Sequence, residues 1–367
     1  MTTRTPPFRA DHVGSLLRPA SLREARLRRR AGTLGADELR LIEDAAIRDV
    51  VRRQESIGLQ AITDGELRRD YWHMDFLVGL EGIGARESTD MKFEGVEEVP
   101  PTPIVTGPIA CDRAPQLDHF GFLASVARGT PKFTIPAPSM AHMRGGSKGI
   151  PRTIYPDLER YWHDLGEAYR VAIGQIYAAG CRYLQIDDIT FSYLADDTVR
   201  AGVIEKGDEP DDLARRYAVT INAALAGRPD DMVVTMHTCR GNFQSTFVAA
   251  SPYSRTVTEA MFSTAVDAWF MEFDSERAGS FDVLSMLPSD KTVVLGLVTT
   301  KFGELESADA IARRIDQASR IVPLERLCLS PQCGFSSTHH GNKLHEDEQW
   351  RKLDRVVQVA RTVWGEP

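Results

Sequence analysis

The chain alternates between two spacings of hydrophobic residues. Short apolar runs rich in β-branched residues predict strands, and between most of them apolar residues recur at spacings of three and four, which predicts amphipathic helices. The predicted strands lie at residues 8–16, 60–66, 132–138, 182–189, 232–238, 268–273, 292–298 and 326–331. Eight strands alternating with helices predict an α/β fold, a (β/α)8 barrel of the TIM type formed by a single domain over residues 1–367.

Helical patterns lie between most of the predicted strands. Two of them cover residues 157–180 and 209–227. Three others are defined by their apolar positions, and the second of these begins after Ser307, a suitable N-cap residue. The positions are Leu39, Ile42, Ala46 and Val50; Ala308, Ile311, Ile315, Ala318 and Val322; and Trp350, Leu353, Val357 and Ala360.

Residues 81–130 interrupt the alternation. They are rich in Gly, Pro and charge, with a candidate hairpin at 92–109, and predict an insertion between the second and third strands near the barrel mouth. The alternative to a barrel is an open, doubly wound sheet. No G-x-G-x-x-G motif follows the first predicted strand, so a dinucleotide-binding fold has little support.

Composition excludes few classes of protein. With 367 residues, of which 42% are hydrophobic and 26% charged, the chain can bury a large core. A net charge of -8 argues against nucleic-acid binding. No apolar run predicts a membrane span or a signal peptide, and the five cysteines are widely spaced, so we expect a reducing, cytoplasmic location. Cys111, Cys181 and Cys328 have no ligand-like neighbours and are expected to be small core residues.

Polar side chains follow the carboxyl ends of the predicted strands. In a parallel barrel all these ends face one mouth, where active sites are built. The residues are Ser15, Asp64, Glu66, Ser139, Asp187, Asp188, His237, Cys239, Glu272, Lys301 and Cys333. Because each of these residues follows the end of a predicted strand, we expect their side chains to lie close together at the barrel mouth.

Four of these residues form a set of metal ligands. His237, Cys239, Glu272 and Cys333 supply one imidazole, two thiolates and one carboxylate, which suit Zn²⁺. Such a zinc site is electron-rich. It therefore favours holding a substrate thiol as thiolate for alkyl transfer over activating water for hydrolysis.

The motifs around these residues resemble cobalamin-independent methionine synthase, specifically its catalytic C-terminal barrel and the shorter stand-alone relatives. The sequences HTC, SPQCGF, QIDD, TDGE and HVGS resemble five motifs of that family, and Glu272 falls where the family has its zinc-binding glutamate. The resemblance implies a TIM barrel, Zn²⁺ bound by His237, Cys239, Glu272 and Cys333, and methyl transfer from a methylated folate to homocysteine. It further implies that Glu66 binds the homocysteine amino group, Asp187 holds the amino acid and Ser15 contacts its carboxylate.

The chain also departs from that family. Its full-length enzymes carry a second barrel for which 367 residues leave no room, and their tryptophan after the third strand is absent from the segment APSM. Lys301 stands where the family has a histidine acid. Lys301 and Asp188 are therefore the candidate proton donors. The methyl donor stays open between a methylated folate, methylcobalamin and a corrinoid protein.

Other interpretations also stay open. A zinc enzyme could alkylate another thiol, such as coenzyme M with an epoxide; a metal-free decarboxylase resembling the uroporphyrinogen enzymes and a non-enzymatic zinc-binding or interaction protein are further alternatives. Either a monomer or a homodimer is compatible with the sequence. Five residues after the second and eighth predicted strands could line a substrate site or serve packing, namely Tyr71, Trp72, His73, His339 and His340.

Overall fold

A parallel, curled seven-stranded sheet is the centre of the fold. A computed structural model describes residues 5–87, 100–246, 248–275 and 278–365. The strands follow the order β1-β4-β5-β6-β7-β8-β9, so each strand pairs with the next one along the chain once the hairpin β2–β3 is set aside. Their bounds are β1 Ala61–Ile62, β2 Glu81–Arg86, β3 Thr102–Ala110, β4 Thr130–Pro136, β5 Tyr183–Asp188, β6 Val233–Thr238, β7 Ala268–Glu272, β8 Thr292–Val298 and β9 Leu327–Pro331. This α/β architecture is consistent with a TIM-like barrel.

Helices surround the sheet and follow the predicted apolar patterns. α5 packs against α8, and α8 against α9, while α11 covers β9 and contacts α10. The helices are α1 Ala20–Arg30, α2 Ala36–Ile57, α3 Met74–Leu77, α4 Leu117–Val126, α5 Leu158–Ala178, α6 Thr190–Leu194, α7 Asp197–Glu205, α8 Pro210–Ala224, α9 Arg255–Phe262, α10 Ala308–Ser319 and α11 Glu346–Trp364. None of the helices in the described ranges is long and apolar enough to cross a membrane.

The first predicted strand, residues 8–16, is not a regular strand. It forms one parallel bridge, Ala10 to Leu329 of β9, and its far end donates a hydrogen bond from the Leu16 amide to the Gly65 carbonyl at 2.9 Å. Side chains take the carbonyls that a β-ladder would use. Lys132 Nζ donates to His12 O at 2.6 Å and Gln185 Nε2 to Val13 O at 2.6 Å. The segment therefore lies between β9 and β1 without joining a continuous ladder.

The predicted insertion, residues 81–130, contains two kinds of structure. β2 and β3 form an antiparallel hairpin, whereas α4 packs against β4 and α2 as a helix of the surrounding layer does. Residues 88–99, which include the first part of the hairpin predicted at 92–109, lie outside the described ranges. Pro100, two residues before the second hairpin strand β3, reaches the cavity described below.

Candidate active site

The four predicted metal ligands converge at the carboxyl ends of three strands. His237 is the second-to-last residue of β6 and Cys239 follows that strand, Glu272 ends β7, and Cys333 follows β9. One ligand atom from each residue lies within 4.8 Å of the others, and all four side chains are buried. The sulfur atoms of Cys239 and Cys333 are 3.5 Å apart, and both cysteines are free.

The atoms of this cluster fit a zinc ion. Neither ring nitrogen of His237 meets hydrogen-bond geometry with any described residue, although the ring is buried. A buried polar atom without a partner is costly, and a metal would supply the missing partner. One nitrogen, one carboxylate oxygen and two sulfurs are a frequent zinc-ligand set.

The charges of the cluster are strongly interdependent. A hydrogen bond between the sulfurs, from Cys239 to Cys333, holds the pKa of Cys333 well below its usual range, and the same bond together with burial raises the pKa of Cys239 well above it. Burial lowers the pKa of His237, but its interaction with Cys333 and with nearby carboxylates outweighs burial and raises that pKa to about 9. One sulfur therefore already favours the thiolate form that a metal requires.

The Glu272 carboxylate is held in place from both sides. The Arg240 amide donates to Oε1 at 2.9 Å, and Gln332 Nε2 donates to Oε2 at 3.1 Å. Gln332 is itself oriented by Thr299, whose hydroxyl donates to Gln332 Oε1 at 2.7 Å. Hydrogen bonds of this kind fix the direction of a metal-binding carboxylate.

Two further carboxylates open onto the same cavity. Glu66 Oε1 accepts from the Thr134 hydroxyl at 2.8 Å while Oε2 has no partner, and Asp187 Oδ1 accepts from Gln185 at 2.6 Å. Burial raises the pKa of Glu66, and burial with the charge of Glu66 raises the pKa of Asp187 to about 7. Two buried carboxylates that repel each other are stabilised by a cation between them. The backbone of Glu66 has a φ of 56°, a conformation that costs energy in a non-glycine residue and is common at functional sites.

Ser15 lies at the cavity wall next to the Cys333 segment. Its hydroxyl accepts from the Ser336 amide at 3.3 Å, and its carbonyl accepts from the Phe335 amide at 2.9 Å. A Cβ atom on Gly334 would collide with the Ser15 hydroxyl, so only glycine fits at that position. Ser15 thus ties the N-terminal segment to the loop after β9.

The two predicted proton donors, Asp188 and Lys301, form hydrogen bonds with different parts of the structure. The Asp188 carboxylate accepts from the Ser139 hydroxyl at 2.6 Å, the Thr190 hydroxyl at 2.9 Å and the Phe191 amide at 3.0 Å. Lys301 Nζ donates to the carbonyls of Thr246 and Gly241 and to Asn242, at 2.8 to 3.4 Å. Neither residue is among those that line the cavity. This geometry favours roles in positioning the loops after β5 and β6 over direct proton transfer.

The cavity has a volume of about 50 Å³, counted as the space open to the centre of a water molecule. The site residues Ser15, Glu66, Asp187, His237, Cys239 and Cys333 line it, as do Trp72 and His73, for which the sequence left packing as an alternative. A group of contacting rings lies beside the cavity instead. It is formed by Tyr71, His339 and His340, and the ring centroids of the two histidines are 3.9 Å apart. Residues that sequence reasoning missed are Arg144, Tyr193, Asn242, Phe243, Ser337 and Thr338. In the sequence, these residues are marked only by lying shortly after predicted strand ends. Many residues share that property, so it does not identify members of a site.

Comparisons with known proteins show the family to which the chain belongs. The model of the cobalamin-independent synthase catalytic domain matches residues 8–362. The uncharacterised proteins YxjH and YxjG of Bacillus subtilis are 44% identical over 98% of this chain and 96% of each relative. A 5-methyltetrahydropteroyltriglutamate–homocysteine methyltransferase of Mycolicibacterium paratuberculosis is 23% identical over 98% of this chain, which spans 43% of that longer protein.

Solved structures show the same fold. A candidate vitamin-B12-independent methionine synthase from Listeria monocytogenes is 39% identical, with a TM-score of 0.79 over 99% of this chain and 100% of the other. A B12-independent methionine synthase from a Shewanella species, solved with selenomethionine, is 18% identical with a TM-score of 0.75 over 97% and 98%. The fold and site define an α/β enzyme of the methyltransferase class. The chain belongs to the cobalamin-independent synthase catalytic-domain family.

Proposed function

We propose that this protein is a zinc-dependent methyltransferase that methylates the thiol of homocysteine to form methionine. The observation that carries the proposal is the meeting, in one cavity, of the buried cluster His237, Cys239, Glu272 and Cys333 with the buried carboxylates Glu66 and Asp187. Zinc held by the four cluster residues would keep the substrate sulfur deprotonated and nucleophilic at neutral pH.

The polar side chains of the cavity favour a thiol substrate that is also an amino acid. Glu66 and Asp187 face the cavity as two acceptors whose raised pKa values fall when a cation sits between them, and the substrate ammonium is that cation. Ser15, on the same wall, is the proposed contact of the substrate carboxylate. The thiol end then points toward the sulfur-rich cluster.

The reaction balances as a displacement at carbon. The substrate sulfur forms a bond to the methyl carbon, and the bond between that carbon and the donor atom breaks with its electron pair left on the donor. A donor that leaves as an amine anion needs a proton. Asp188 and Lys301 stay the sequence-based candidates for that role, although their hydrogen bonds favour positioning. The candidate donors are a methylated folate, methylcobalamin and a corrinoid protein.

A second candidate function keeps the zinc site and changes the thiol. Coenzyme M, alkylated by an epoxide, is such a thiol, but it carries a sulfonate and no ammonium. The buried Glu66 and Asp187 would then lack a substrate cation, and Arg69, at 3.7 Å from Glu66 Oε1, would be left as a cationic neighbour of this pair. The two carboxylates therefore favour homocysteine.

Calorimetry of homocysteine binding tests the proposal. A free thiol has a pKa near 8.5, so binding to the zinc-loaded protein near pH 7 should release about one proton. Titrations in buffers of different ionisation enthalpy measure this number directly, with zinc-free protein as the control. Equal proton release with and without zinc would refute the proposal, and tighter binding of coenzyme M than of homocysteine would favour the second candidate.

A further inference from the structure

Arg144 is a buried cation with no acidic partner among the described residues. Its side chain is 9% exposed, lines the cavity, and donates from Nη1 to the carbonyls of Pro100 at 2.8 Å and Pro101 at 3.3 Å. Nε has no hydrogen-bond partner among the described residues. Within the described part of the chain Arg144 joins no salt bridge, neither with Glu66 nor with Asp187. A buried charge without a counterion is costly, so the described residues leave this guanidinium suited to an anionic partner.

The bonding of Arg144 leaves one edge of its guanidinium available. Two carbonyls occupy Nη1, which fixes the plane of the group, while the edge formed by Nε and Nη2 has no hydrogen bond to the described residues. That edge is the fork that binds a carboxylate or phosphonate through two parallel hydrogen bonds. Lysine cannot reproduce it.

Two more unused polar groups line the cavity with Arg144. His73 is 2% exposed, and neither of its ring nitrogens has a hydrogen-bond partner in the described ranges; burial together with the charge of Arg144 lowers its pKa well below the usual range. A neutral imidazole can still donate one hydrogen bond. The Tyr193 hydroxyl, also without a hydrogen bond to any described residue, lies within electrostatic reach of both Arg144 and Cys239. Trp72 packs against His73 with ring centroids 4.8 Å apart.

The lining of the cavity thus contains two groups of side chains with opposite chemistry, which we name its acidic end and its donor-rich end. Glu66 and Asp187 form an acidic end that suits an ammonium, whereas Arg144, His73 and Tyr193 offer only hydrogen-bond donors that suit an oxyanion. The amino acid thiol accounts for the acidic end and for Ser15. It leaves the donor-rich end unused.

We infer that Arg144, His73 and Tyr193 form a second binding subsite, which takes a carboxylate- or phosphate-type oxyanion of the methyl donor while the thiol substrate occupies the acidic end. The inference rests on the proposed function for the identity of the second substrate. The existence of the oxyanion site does not depend on it. The donor class is therefore one that carries an acidic group.

Methylphosphonate, followed by phosphorus NMR, is the probe. It is titrated against the zinc-loaded protein with and without saturating homocysteine. We expect saturable binding in both arms, because the two ligands occupy different ends of the cavity and because bound homocysteine keeps the probe from the metal. Arg144→Met should weaken probe binding by about tenfold or more, since a charge-assisted pair is lost. Arg144→Lys, Tyr193→Phe and His73→Gln should weaken it by smaller factors.

The controls separate this subsite from general effects. Arg152→Met removes an exposed arginine that bonds only the Pro156 carbonyl and should leave probe binding unchanged. Circular dichroism establishes that each variant is folded. If Arg144→Met does not fold, Tyr193→Phe and Arg144→Lys carry the test. Homocysteine affinity should fall by a smaller factor than probe affinity in every variant, because the proposed contacts of its ammonium, Glu66 and Asp187, are unchanged.

Three results would overturn the inference: no saturable binding of methylphosphonate, equal binding by Arg144→Met and the wild type, or displacement of the probe by homocysteine. Displacement would mean that Arg144 takes the carboxylate of the amino acid itself. If the proposed function fails, the pattern of results is different from these three. Homocysteine would then bind without proton release or not at all, while methylphosphonate would still bind to the wild type and not to Arg144→Met.

Discussion

At the scale of single residues, His237 shows how burial turns an ordinary side chain into a candidate ligand. Its two ring nitrogens are enclosed and lack hydrogen-bond partners, and two sulfurs and a carboxylate lie within 4.8 Å. A core histidine that served only packing would be bonded to a carbonyl or a hydroxyl, as His142 is to Tyr217 at 3.0 Å. The contrast between the two buried histidines supports a metal at the first.

The purified protein is predicted to contain about one zinc ion per chain, and Cys239→Ser or Cys333→Ser to lose most of it, because serine is a poor zinc ligand. Elemental analysis measures the metal, and circular dichroism measures the fold, which should persist because the core does not depend on the ion. Cys181→Ser is the matched control. It is equally buried and its hydrogen bond to the Tyr183 carbonyl can be kept. Wild-type protein that neither contains nor takes up zinc would contradict the prediction.

Glu66 and Asp187 are predicted to bind the substrate ammonium. Glu66→Gln and Asp187→Asn should each weaken homocysteine binding by about tenfold to a hundredfold, the range for losing a hydrogen bond between charged groups. The same variants should bind 4-mercaptobutyrate, which is homocysteine without its amino group, as well as the wild type does. Calorimetry measures both affinities. Equal losses for the two thiols would assign the carboxylates to the fold instead of to the ammonium.

At the scale of elements, the strand ends explain why residues distant in sequence meet. Asp187 of β5 pairs in register with His237 of β6, and Glu272 of β7 with Gly296 of β8. Parallel neighbours in register bring their carboxyl ends to one edge, so a polar residue at each end contributes to one site. Gly296 is required there, since a Cβ atom would meet the backbone of Gln332 and Glu272.

The sequence predicted most helices to within a few residues and was less accurate for the first strands. α5, α8, α10 and α11 fall within or close to the predicted ranges because their apolar faces cover the sheet. Ser307 is the N-cap of α10, but its side chain makes no capping hydrogen bond. Of residues 60–66 only Ala61 and Ile62 are strand, because the chain turns at Gly65 and Glu66, both with positive φ.

Lys301 is predicted to anchor the loop after β6. Its three hydrogen bonds hold the segment that contains Gly241 and Asn242, and Asn242 in turn donates to the Gly334 carbonyl at 2.8 Å. Lys301→Met should therefore lower the free energy of unfolding by about 2–3 kcal/mol. It should also weaken homocysteine binding, whereas Lys301→Arg should retain part of both. Denaturant unfolding gives the first quantity and calorimetry the second.

Lys148→Met is the control for this prediction, because Lys148 is exposed and bonds only the Glu205 carbonyl. One other outcome would support the catalytic role that the sequence predicts for Lys301. If Lys301→Met unfolds like the wild type and binds homocysteine normally but cannot transfer the methyl group, Lys301 is a proton donor.

At the scale of the whole molecule, the segment after β4 bears on which methyl donor the protein uses. The segment after β4 is Ala137-Pro138-Ser139-Met140, without the tryptophan that the family uses for pterin stacking. Stacking of a base-like ring on an aromatic side chain contributes roughly 1–3 kcal/mol, so its loss weakens binding by about tenfold to a hundredfold. Long-chain methylfolate is therefore predicted to be a poor donor, and methylcobalamin or a corrinoid protein a better one.

Methionine formation with each donor at matched concentrations measures this difference. Faster turnover with methylated folate would contradict the prediction, and its loss in Trp72→Ala would show that Trp72 of the cavity wall has taken over the stacking role. If no donor methylates homocysteine while the zinc and ammonium predictions hold, the alternative thiols become the next substrates to assay.

The sequence by itself determined the family, the alternation of strands and helices, and the four members of the buried cluster. These properties depend on local periodicity and on short motifs, which a single chain displays directly. Its prediction of one domain over residues 1–367 stays a prediction. The tertiary structure decided what depends on distance and burial: that residues 8–16 bond to side chains of the sheet instead of forming a ladder, that Asp188 and Lys301 are occupied by hydrogen bonds, and that Arg144 is a buried cation with no counterion among the described residues. None of these could be read from the sequence, because the partners of each group lie far away along the chain and meet only when the sheet curls.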